Sequence, residues 1–477
     1  METKNITHSI FWSAIDVILR QGVQFAVLMI MARLLSPEDF GTIALATLFV
    51  ALATVFVDGG FSAALIQKQD TSLVDESTVF YFNLLMALCV ALGLCVAAPW
   101  IAAVFDKPVL RFLVWTMALN VLINAFGAIH TTLLTKALNF KLIAKTGGIA
   151  SLLSALLALI LAFNGFGTWS LVAQTLLSSL VSVSLLWWWH DRRPARRFCL
   201  DSLRNFFRYG GYLMIIGAID ALHSNLYAFL IGKYYSVREV GFYDRAQKTQ
   251  LLPVSFLMLI INRIAFSSFS AAADDITKLA RGFRKAQRLV MLINIPLAVM
   301  MIVLAEPIIL LLFGETWRDS AQILQVLGGD ALLWPVHMLN INVLKAQGRS
   351  DLFFKIMLIK KIVAMSLIVA CSFQGIIAIA WAQVIASIFS FGVNAYYSKV
   401  FLDYGPLKQL WDLLPCLLIA AVMGLLMHEI VQSLFLPDYQ VSIVAVLTGG
   451  TFYLGACYLL RVQALKDISG LFAKRAI

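Results

Sequence analysis

The sequence predicts an all-α polytopic membrane protein of about 14 transmembrane helices, arranged as two six-helix bundles in a parallel repeat and two further C-terminal helices. The first observation behind this prediction is composition, because the chain is 61% hydrophobic and 13% charged, too apolar for a soluble domain. The second is that apolar stretches of about 20 residues recur along the whole length. The third is a duplicated motif that ends at Gly41 and again at Gly241, an offset of 241 − 41 = 200 residues.

Each apolar stretch is predicted to be a helix, since backbone groups within lipid must hydrogen-bond inside their own segment. No small-residue cleavage site follows the first stretch, so it is predicted to be a retained helix rather than a signal peptide. The predicted spans are centred near Val23, Ala51, Leu92, Val121, Leu156, Leu176, Ile215, Leu257, Ile295, Gly328, Val363, Ile385, Ile419 and Val446.

The distribution of basic residues predicts that both termini are cytoplasmic. When loops are assigned alternately from a cytoplasmic N-terminus, the inside loops collect most of the lysines and arginines, with dense groups at 192–208 and 278–288. The net charge of +11 is therefore interpreted as positive-inside topology, and no nucleic-acid partner is predicted.

The repeat predicts the domain organisation. The first copy of the motif reads Leu34-Leu35-Ser36-Pro37-Glu38-Asp39-Phe40-Gly41, and the second reads Tyr234-Tyr235-Ser236-Val237-Arg238-Glu239-Val240-Gly241. Ala173-Gln174 likewise recurs as Ala382-Gln383. Each half holds an even number of spans, so both halves enter the membrane in the same direction and the repeat is parallel. The predicted segments are a bundle at 1–190, a basic cytoplasmic linker at 191–203, a bundle at 204–399, and two extra helices with a cytoplasmic tail at 400–477.

The chain carries no motif typical of an enzyme. A P-loop, an HExxH and a CxxC are all missing from the sequence, so no enzymatic activity, cofactor or metal site is predicted. The six cysteines have no metal-ligand spacing and are predicted to be reduced thiols. A monomer is predicted, in which recognition takes place inside the membrane because every loop is short.

Polar residues within the first span form one helix face. Asp16, Arg20 and Gln24 follow at i, i+4 and i+8. A charge in a span is costly unless it is paired or hydrated, so each such residue is a candidate for function. This face is either the wall of a hydrated cavity or a local Asp16–Arg20 ion pair.

The seventh span carries a matching polar face. Asp220, His223 and Ser224 share it, and at the 200-residue offset Asp220 corresponds to Arg20. We hypothesise that Arg20 and Asp220 pair across a cavity in one conformation and separate in another. Loss of function that persists in the doubly charge-swapped variant would contradict direct pairing.

Other intramembrane residues leave alternatives open. Asp330 and His337 share a face and together are a better candidate for a proton relay than either alone. Asp58 is interpreted as the partner of Arg20 or of an ion, and His130 as a hydrogen-bonded structural residue.

Two basic side chains and a proline are also ambiguous. Arg263 either snorkels to the inner surface or faces the cavity, snorkelling is favoured for Lys360, and Pro253 is a static kink or a hinge. Predicted substrate-binding residues are Arg20, Gln24, His223, Ser224 and Arg263, and predicted coupling or gating residues are Asp16, Asp58, Asp220, Asp330 and His337.

Several motifs together carry a family resemblance. They include Trp12-Ser13, Ala32-Arg33 before the first copy of the repeat, Asp58-Gly59-Gly60-Phe61-Ser62, Gly241-Phe242-Tyr243-Asp244-Arg245-Ala246 and Leu312-Phe313-Gly314-Glu315-Thr316-Trp317. With two six-span halves and two extra spans, the chain resembles the multidrug/oligosaccharidyl-lipid/polysaccharide exporter superfamily, whose multidrug members are the MATE transporters. Within it, the chain looks like the Wzx-type flippases of the bacterial polysaccharide-transport family.

The resemblance implies a MATE-like fold and translocation of undecaprenyl-pyrophosphate-linked oligosaccharide for O-antigen, capsule or exopolysaccharide. It implies movement from the cytoplasmic to the periplasmic leaflet of the bacterial inner membrane by alternating access, with coupling to H⁺ or Na⁺. Expected partners are the lipid-linked substrate, membrane lipids, a polysaccharide polymerase and a chain-length regulator. The rival hypotheses are a MATE-like multidrug antiporter and, disfavoured by the short loops, a membrane polymerase or glycosyltransferase.

Overall fold

The structure, a computed structural model, describes residues 22–68, 70–271, 275–347, 349–433 and 438–467. Within these ranges every regular element is a helix, which confirms the all-α prediction. The chain divides into two compact units, Met1–Gly241 and Phe242–Ile477.

The first unit contains eight helices among its described residues and the start of a ninth. They are α1 Gly22–Leu34, α2 Pro37–Asp58, α3 Phe61–Gln67, α4 Leu73–Val104, α5 Val109–Lys136, α6 Phe140–Phe163, α7 Thr168–Trp189, α8 Leu200–Tyr234, and α9, which runs through Val237–Ala271 and continues into the second unit. Because α8 packs against α2, α3 and α4, it belongs to this unit. The division into bundles at 1–190 and 204–399 stays a prediction.

The second unit contains the rest of α9 and seven longer helices among its described residues. They are α10 Ile276–Val303, α11 Ala305–Phe313, α12 Asp319–Ala346, α13 Ser350–Cys371, α14 Ile376–Leu402, α15 Pro406–Ser433 and α16 Asp438–Leu459, with a one-turn 3₁₀ helix at Glu315–Trp317. The two C-terminal helices α15 and α16 pack into the core of this unit, where Met423 and Ala445 contact the cluster that holds Ile295 and Phe391.

Ten of the described helices are long and apolar enough to cross a membrane, so the protein is a multi-pass membrane protein. They are α2, α4, α5, α6, α7, residues Gly210–Tyr234 of α8, α10, α14, α15 and residues Gln440–Leu459 of α16. The four other predicted span centres, Val23, Leu257, Gly328 and Val363, lie in α1, α9, α12 and α13. The count of about 14 spans and the cytoplasmic termini therefore stay predictions.

The duplicated motif is a duplicated helix start. Ser36 accepts a hydrogen bond from the Asp39 backbone amide at 3.2 Å, and the Asp39 carboxylate accepts one from the Ser36 amide at 3.0 Å, which is a capping box. In the second copy, Ser236 accepts from the Glu239 amide at 3.2 Å. These bonds satisfy amides at the start of α2 and α9 that have no partner inside the helix.

The glycine that ends each copy allows these helix starts to cross in backbone contact. A Cβ atom on Gly41 would lie 1.8 Å from the carbonyl oxygen of Val237, and one on Gly241 would lie 1.9 Å from that of Pro37. The two copies thus contact each other symmetrically within the first unit. Any larger residue at either position would force the backbones apart.

A second glycine pair shapes the turn between α2 and α3. Gly59 and Gly60 have φ angles of 52° and 74°, in the left-handed region that favours glycine. A Cβ atom on Gly60 would also lie 2.5 Å from the carbonyl oxygen of Gly210 in α8. The turn therefore fixes Asp58, the last residue of α2, close to Ser62 in α3.

The basic segment between α7 and α8 forms no helix over residues 190–199 and is held on the start of α4. The Ala195 amide donates to the Ser77 hydroxyl at 2.7 Å, and Arg192 forms an ion pair with Glu76 at 3.0 Å. This segment, residues 190–199, is therefore fixed to α4 by polar contacts, and we refer to it as the strap.

We expect Gly41→Ala and Gly241→Ala each to lower the thermal unfolding midpoint of the detergent-solubilised protein. Overlap with a backbone carbonyl cannot be relieved by rotating a side chain, and such overpacking costs about 1–3 kcal/mol or more. Gly93→Ala in α4 is the matched control, because a Cβ atom there meets nothing within 4 Å. Unchanged midpoints in both repeat variants would contradict the backbone contact.

Candidate functional site

A buried acidic cluster lies in the second unit. It consists of Asp330 and His337 from α12, Gln250 from α9, and Gln383 and Ser387 from α14, and we refer to it as the Asp330 cluster. Asp330 lies near the middle of its helix and is 5% exposed. A polar group buried in this way is removed from bulk water, so its hydrogen-bond partners must come from neighbouring side chains.

The Asp330 carboxylate accepts hydrogen bonds from two carboxamides. Gln250 Nε2 donates to Asp330 Oδ2 at 2.9 Å and Gln383 Nε2 at 3.2 Å. Tyr243, fully buried on α9, donates its hydroxyl to Gln383 Oε1 at 3.1 Å and so fixes the orientation of that amide. No described lysine, arginine or histidine forms an ion pair with Asp330, so the cluster holds the carboxyl group by neutral donors.

Ser387 connects Asp330 to His337. Ser387 Oγ lies 2.8 Å from His337 Nε2, and its side chain is close enough to the Asp330 carboxyl group to interact with it electrostatically. Asp330 and His337, predicted from sequence as a relay pair, are therefore brought together through one intervening group.

Lys360 corrects the prediction of snorkelling. Its side chain is buried in the second unit, and its Nζ donates to Asn394 Oδ1 in α14 at 3.0 Å. Because this amide partner lies on the neighbouring helix, the ammonium group stays inside the unit. Arg263 lies on the helical backbone of α9, but its side chain lies outside the described residues.

A second charged group lies on α9 in the second unit, where Asp244 and Arg245 are buried and Lys248 is exposed. Asp244 forms ion pairs with Arg245 at 2.6 Å and with Lys248 at 2.9 Å. Pairing offsets the cost of burying these charges. This group belongs to the motif quoted for the family resemblance, and its contacts indicate a structural role.

The first unit contains a polar pocket of about 440 Å³, which we name the Asp58 pocket. It is built from the end of α2, from α3, from one face of α5 and from the end of α7. Its lining residues are Asp58, Ser62, Ile66, Asn124, Gly127, Ala128, Thr131, Thr132, Thr135, Ser182, Val183 and Leu186. Asp58 is half-buried and accepts a hydrogen bond from the Ser62 hydroxyl at 2.5 Å.

Two histidines form a pair beside this pocket. His130 on α5 is fully buried, and its Nδ1 lies 2.8 Å from Nδ1 of His190, the residue that follows α7. Burial, followed by repulsion from Arg192 and Arg193, lowers the pKa of His190 and so favours the neutral form of this imidazole. The pair attaches the strap to α5, consistent with the structural interpretation of His130.

Family membership is decided by a match that covers more than half of the chain. Residues 30–322 match the family described as polysaccharide biosynthesis protein. The chain belongs to this family. The membership confirms the resemblance predicted from the sequence motifs.

Individual relatives of this polysaccharide biosynthesis protein span most of its length. The chain is 27% identical over 435 residues to the teichuronic acid biosynthesis protein TuaB of Bacillus subtilis, covering 89% of this chain and 88% of TuaB. It is 27% identical to the succinoglycan biosynthesis transport protein ExoT of Rhizobium meliloti, over 74% of this chain and 72% of ExoT. It is also 27% identical to the lipopolysaccharide biosynthesis protein WzxC of Escherichia coli, over 72% of this chain and 70% of WzxC.

Solved structures confirm the predicted fold of this family member. The lipid II flippase MurJ in an inward closed conformation superimposes with a TM-score of 0.77 at 15% identity, covering 94% of this chain and 98% of that one. An inward-facing MATE multidrug resistance transporter of the MOP superfamily gives a TM-score of 0.64 at 15% identity, covering 83% and 98%. At such low identity these likenesses concern the fold alone.

The remaining predicted site residues are placed as follows. Asp16 and Arg20 lie outside the described residues, so their assigned roles and the Arg20–Asp220 pairing stay predictions. Gln24 is exposed on α1, while Asp220, His223 and Ser224 follow one another along α8. The described residues Gln24, Asp220, His223 and Ser224 are not among the residues that line the Asp58 pocket.

Sequence reasoning missed most of the polar partners in both sites. Gln250, Ser387 and Thr131 are neutral and gave no signal in a search based on charge. Gln383 did carry a sequence signal, because Ala382-Gln383 repeats Ala173-Gln174.

Burial of Lys360 predicts that it resists chemical modification. With a membrane-impermeant acetylating reagent on the purified protein, we expect exposed Lys355 on the same helix to react at least about ten times more than Lys360, because a lysine held inside cannot reach water. Peptide mass spectrometry measures both sites in one sample. Equal modification would show that Lys360 snorkels after all.

Proposed function

We propose that this protein is a flippase that moves undecaprenyl-pyrophosphate-linked oligosaccharide repeat units from the cytoplasmic to the periplasmic leaflet of the bacterial inner membrane by alternating access. The observation that carries the proposal is that its full-length relatives are named for three different polymers, teichuronic acid, succinoglycan and lipopolysaccharide. A step that is shared by the synthesis of such different polymers cannot depend on the formation of one particular glycosidic bond. Movement of the lipid-linked intermediate across the membrane is such a step, and ExoT is named a transport protein.

The physical problem supports a transporter with polar groups inside the membrane. Moving a pyrophosphate and a glycan through hydrocarbon without help costs on the order of tens of kcal/mol, because their hydration is lost. Polar side chains among the helices replace that hydration. The Asp58 pocket and the Asp330 cluster supply such groups, one in each unit.

The Asp330 cluster is the proposed coupling site. A carboxyl group that is buried, held by neutral donors and placed near a hydroxyl and an imidazole can take up and release a proton or a cation. We propose that this exchange, with H⁺ or Na⁺, accompanies each transport cycle. The protein acts without a bound cofactor and catalyses no covalent step.

The proposed transport is one step in the assembly of a surface polysaccharide. The flippase delivers repeat units to a polysaccharide polymerase and a chain-length regulator in the periplasm, and it works as a monomer with both termini in the cytoplasm. The sugars in the transported repeat unit are those of the polymer that the host bacterium makes.

A multidrug antiporter is the second candidate function. The MATE fold and two acidic groups without a described basic partner, Asp58 and Asp330, would also suit organic cations. The two functions differ in substrate charge and in the phenotype of a deletion.

We expect deletion of the gene to abolish the surface polysaccharide and to leave lipid-linked repeat units on the cytoplasmic leaflet. Purified protein in liposomes should then make such glycolipids accessible to an enzyme added outside, whereas liposomes without protein should not. Intact polysaccharide together with hypersensitivity to cationic dyes would favour the antiporter. Elongation of the glycolipid by the purified protein would favour an enzyme.

Asp330→Asn is expected to uncouple transport from the ion gradient. Asparagine keeps an oxygen for Gln250 and Gln383 but binds neither a proton nor a cation, so the acceleration produced by an imposed H⁺ or Na⁺ gradient should disappear. Asp319→Asn at the exposed start of the same helix is the control and should keep the acceleration. Full gradient dependence in Asp330→Asn would remove the cluster from the coupling mechanism.

A further inference from the structure

Most of the side chains that could donate hydrogen bonds into the Asp58 pocket already donate them to the protein itself. Thr131 and Thr135 donate their hydroxyl protons to backbone carbonyls of α5, at 3.3 Å and 2.8 Å. Asn124 donates its amide protons to the carbonyl oxygen of Asn120 at 2.9 Å and to the Ser179 hydroxyl at 3.1 Å. The groups left to face the pocket are therefore mainly acceptor oxygens.

The carboxylate adds to this excess of acceptors. Asp58 accepts one hydrogen bond, from Ser62, whereas an ionised carboxylate has about four acceptor positions. No lysine, arginine or histidine is among the described residues that line the pocket. A pyrophosphate also offers only acceptors and negative charge, so it does not complement the described residues that line the pocket.

A ligand for the pocket must bring hydrogen-bond donors and also some apolar surface. Ile66, Val183 and Leu186 provide aliphatic walls beside the oxygens. A sugar ring has both features, since its hydroxyl groups donate and its C–H faces pack on aliphatic side chains. The volume of about 440 Å³ lies within the range of about 300–1,000 Å³ typical of small-molecule sites.

The repeat shows how the two units differ at the position of Gly127. The α5 and α12 helices correspond at an offset of 330 − 120 = 210, so Gly127 in the pocket wall corresponds to His337, since 337 − 127 = 210. Ser178 in α7 corresponds to Ser387 at an offset of 209. In the second unit the imidazole of His337 lies within hydrogen-bonding distance of Ser387, whereas in the first unit Gly127 lets Val183 of α7 pack closely against α5, since a Cβ atom there would lie 2.7 Å from Val183 Cγ2.

We propose that the Asp58 pocket binds hydroxyl groups of the substrate glycan and so distinguishes glycan-bearing carrier lipid from bare carrier lipid. This inference rests on the proposed flippase function, and it assigns the pyrophosphate to groups elsewhere in the protein. Asp58 and the acceptor oxygens of Asn124, Thr131 and Thr135 bind sugar hydroxyls, while Ile66 and Val183 contact the ring.

The test uses two conservative variants and one control in the full-length protein. Asp58→Asn replaces an acceptor oxygen by an amide donor, and Thr131→Val removes an acceptor oxygen with little change of shape. Thr116→Val is the control, since Thr116 makes the same bond to its own helix, lies about four turns earlier on α5 and does not line the pocket.

Binding is measured first, because it is independent of transport. The probe is the water-soluble oligosaccharide released by mild acid from the carrier lipid of the host bacterium, titrated against purified protein by saturation-transfer NMR. We expect Asp58→Asn to weaken binding by about 10- to 100-fold and Thr131→Val by about 2- to 10-fold, with Thr116→Val unchanged. Equal binding by all four proteins would overturn the proposal.

Transport in liposomes then separates glycan recognition from a general defect. We expect Asp58→Asn to slow movement of the glycan-bearing lipid while movement of undecaprenyl pyrophosphate stays at the wild-type rate. An equal loss for both lipids would overturn the proposal, since the pocket would then serve the cycle as a whole. Wild-type protein that binds the oligosaccharide but moves neither lipid would refute the flippase function and leave the sugar site standing.

Discussion

Polar side chains buried among these helices must find their partners on other helices, because a membrane interior offers no water to satisfy them. This constraint organises the second unit. Gln250 and Gln383 bring α9 and α14 onto Asp330 of α12, and Lys360 of α13 donates to Asn394 of α14. Each hydrogen bond fixes the rotation of two helices about their axes. The uniformly apolar faces around the bond would define that rotation less well.

The two copies of the repeat share their scaffold and differ in their polar interiors. Both copies of the motif cap a helix with serine and end in a glycine that permits backbone contact. Inside, the first unit has Asn120 and Gly127 at the positions that Asp330 and His337 occupy in the second. In the first unit Gly127 lies in the wall of the Asp58 pocket, whereas in the second unit His337 belongs to the Asp330 cluster. In our proposals the first unit recognises the substrate and the second unit couples transport to an ion, and the two units differ at these positions.

Much of the fold was predictable because it depends on local properties of the chain. Apolar length locates the helices, and each of the predicted centres falls in a helix of its own. The relay pair Asp330 and His337 was predictable from helix periodicity, since both lie on one face of α12. Lys360 was predicted wrongly, because the competing partner, Asn394, lies 34 residues away and is invisible to an argument about depth alone.

The sequence by itself determined the class of protein, the repeat, the helix starts and the family, since hydrophobicity, capping residues and motif identity are encoded in consecutive residues. The tertiary structure alone decided which neutral groups meet. Ser387 of α14 lies within hydrogen-bonding distance of His337 in α12, and three threonines of α5 line the same pocket as Asp58. Such sites depend on the packing and rotation of helices that are far apart in the chain. Neutral side chains gave no sign of these contacts before the helices were assembled.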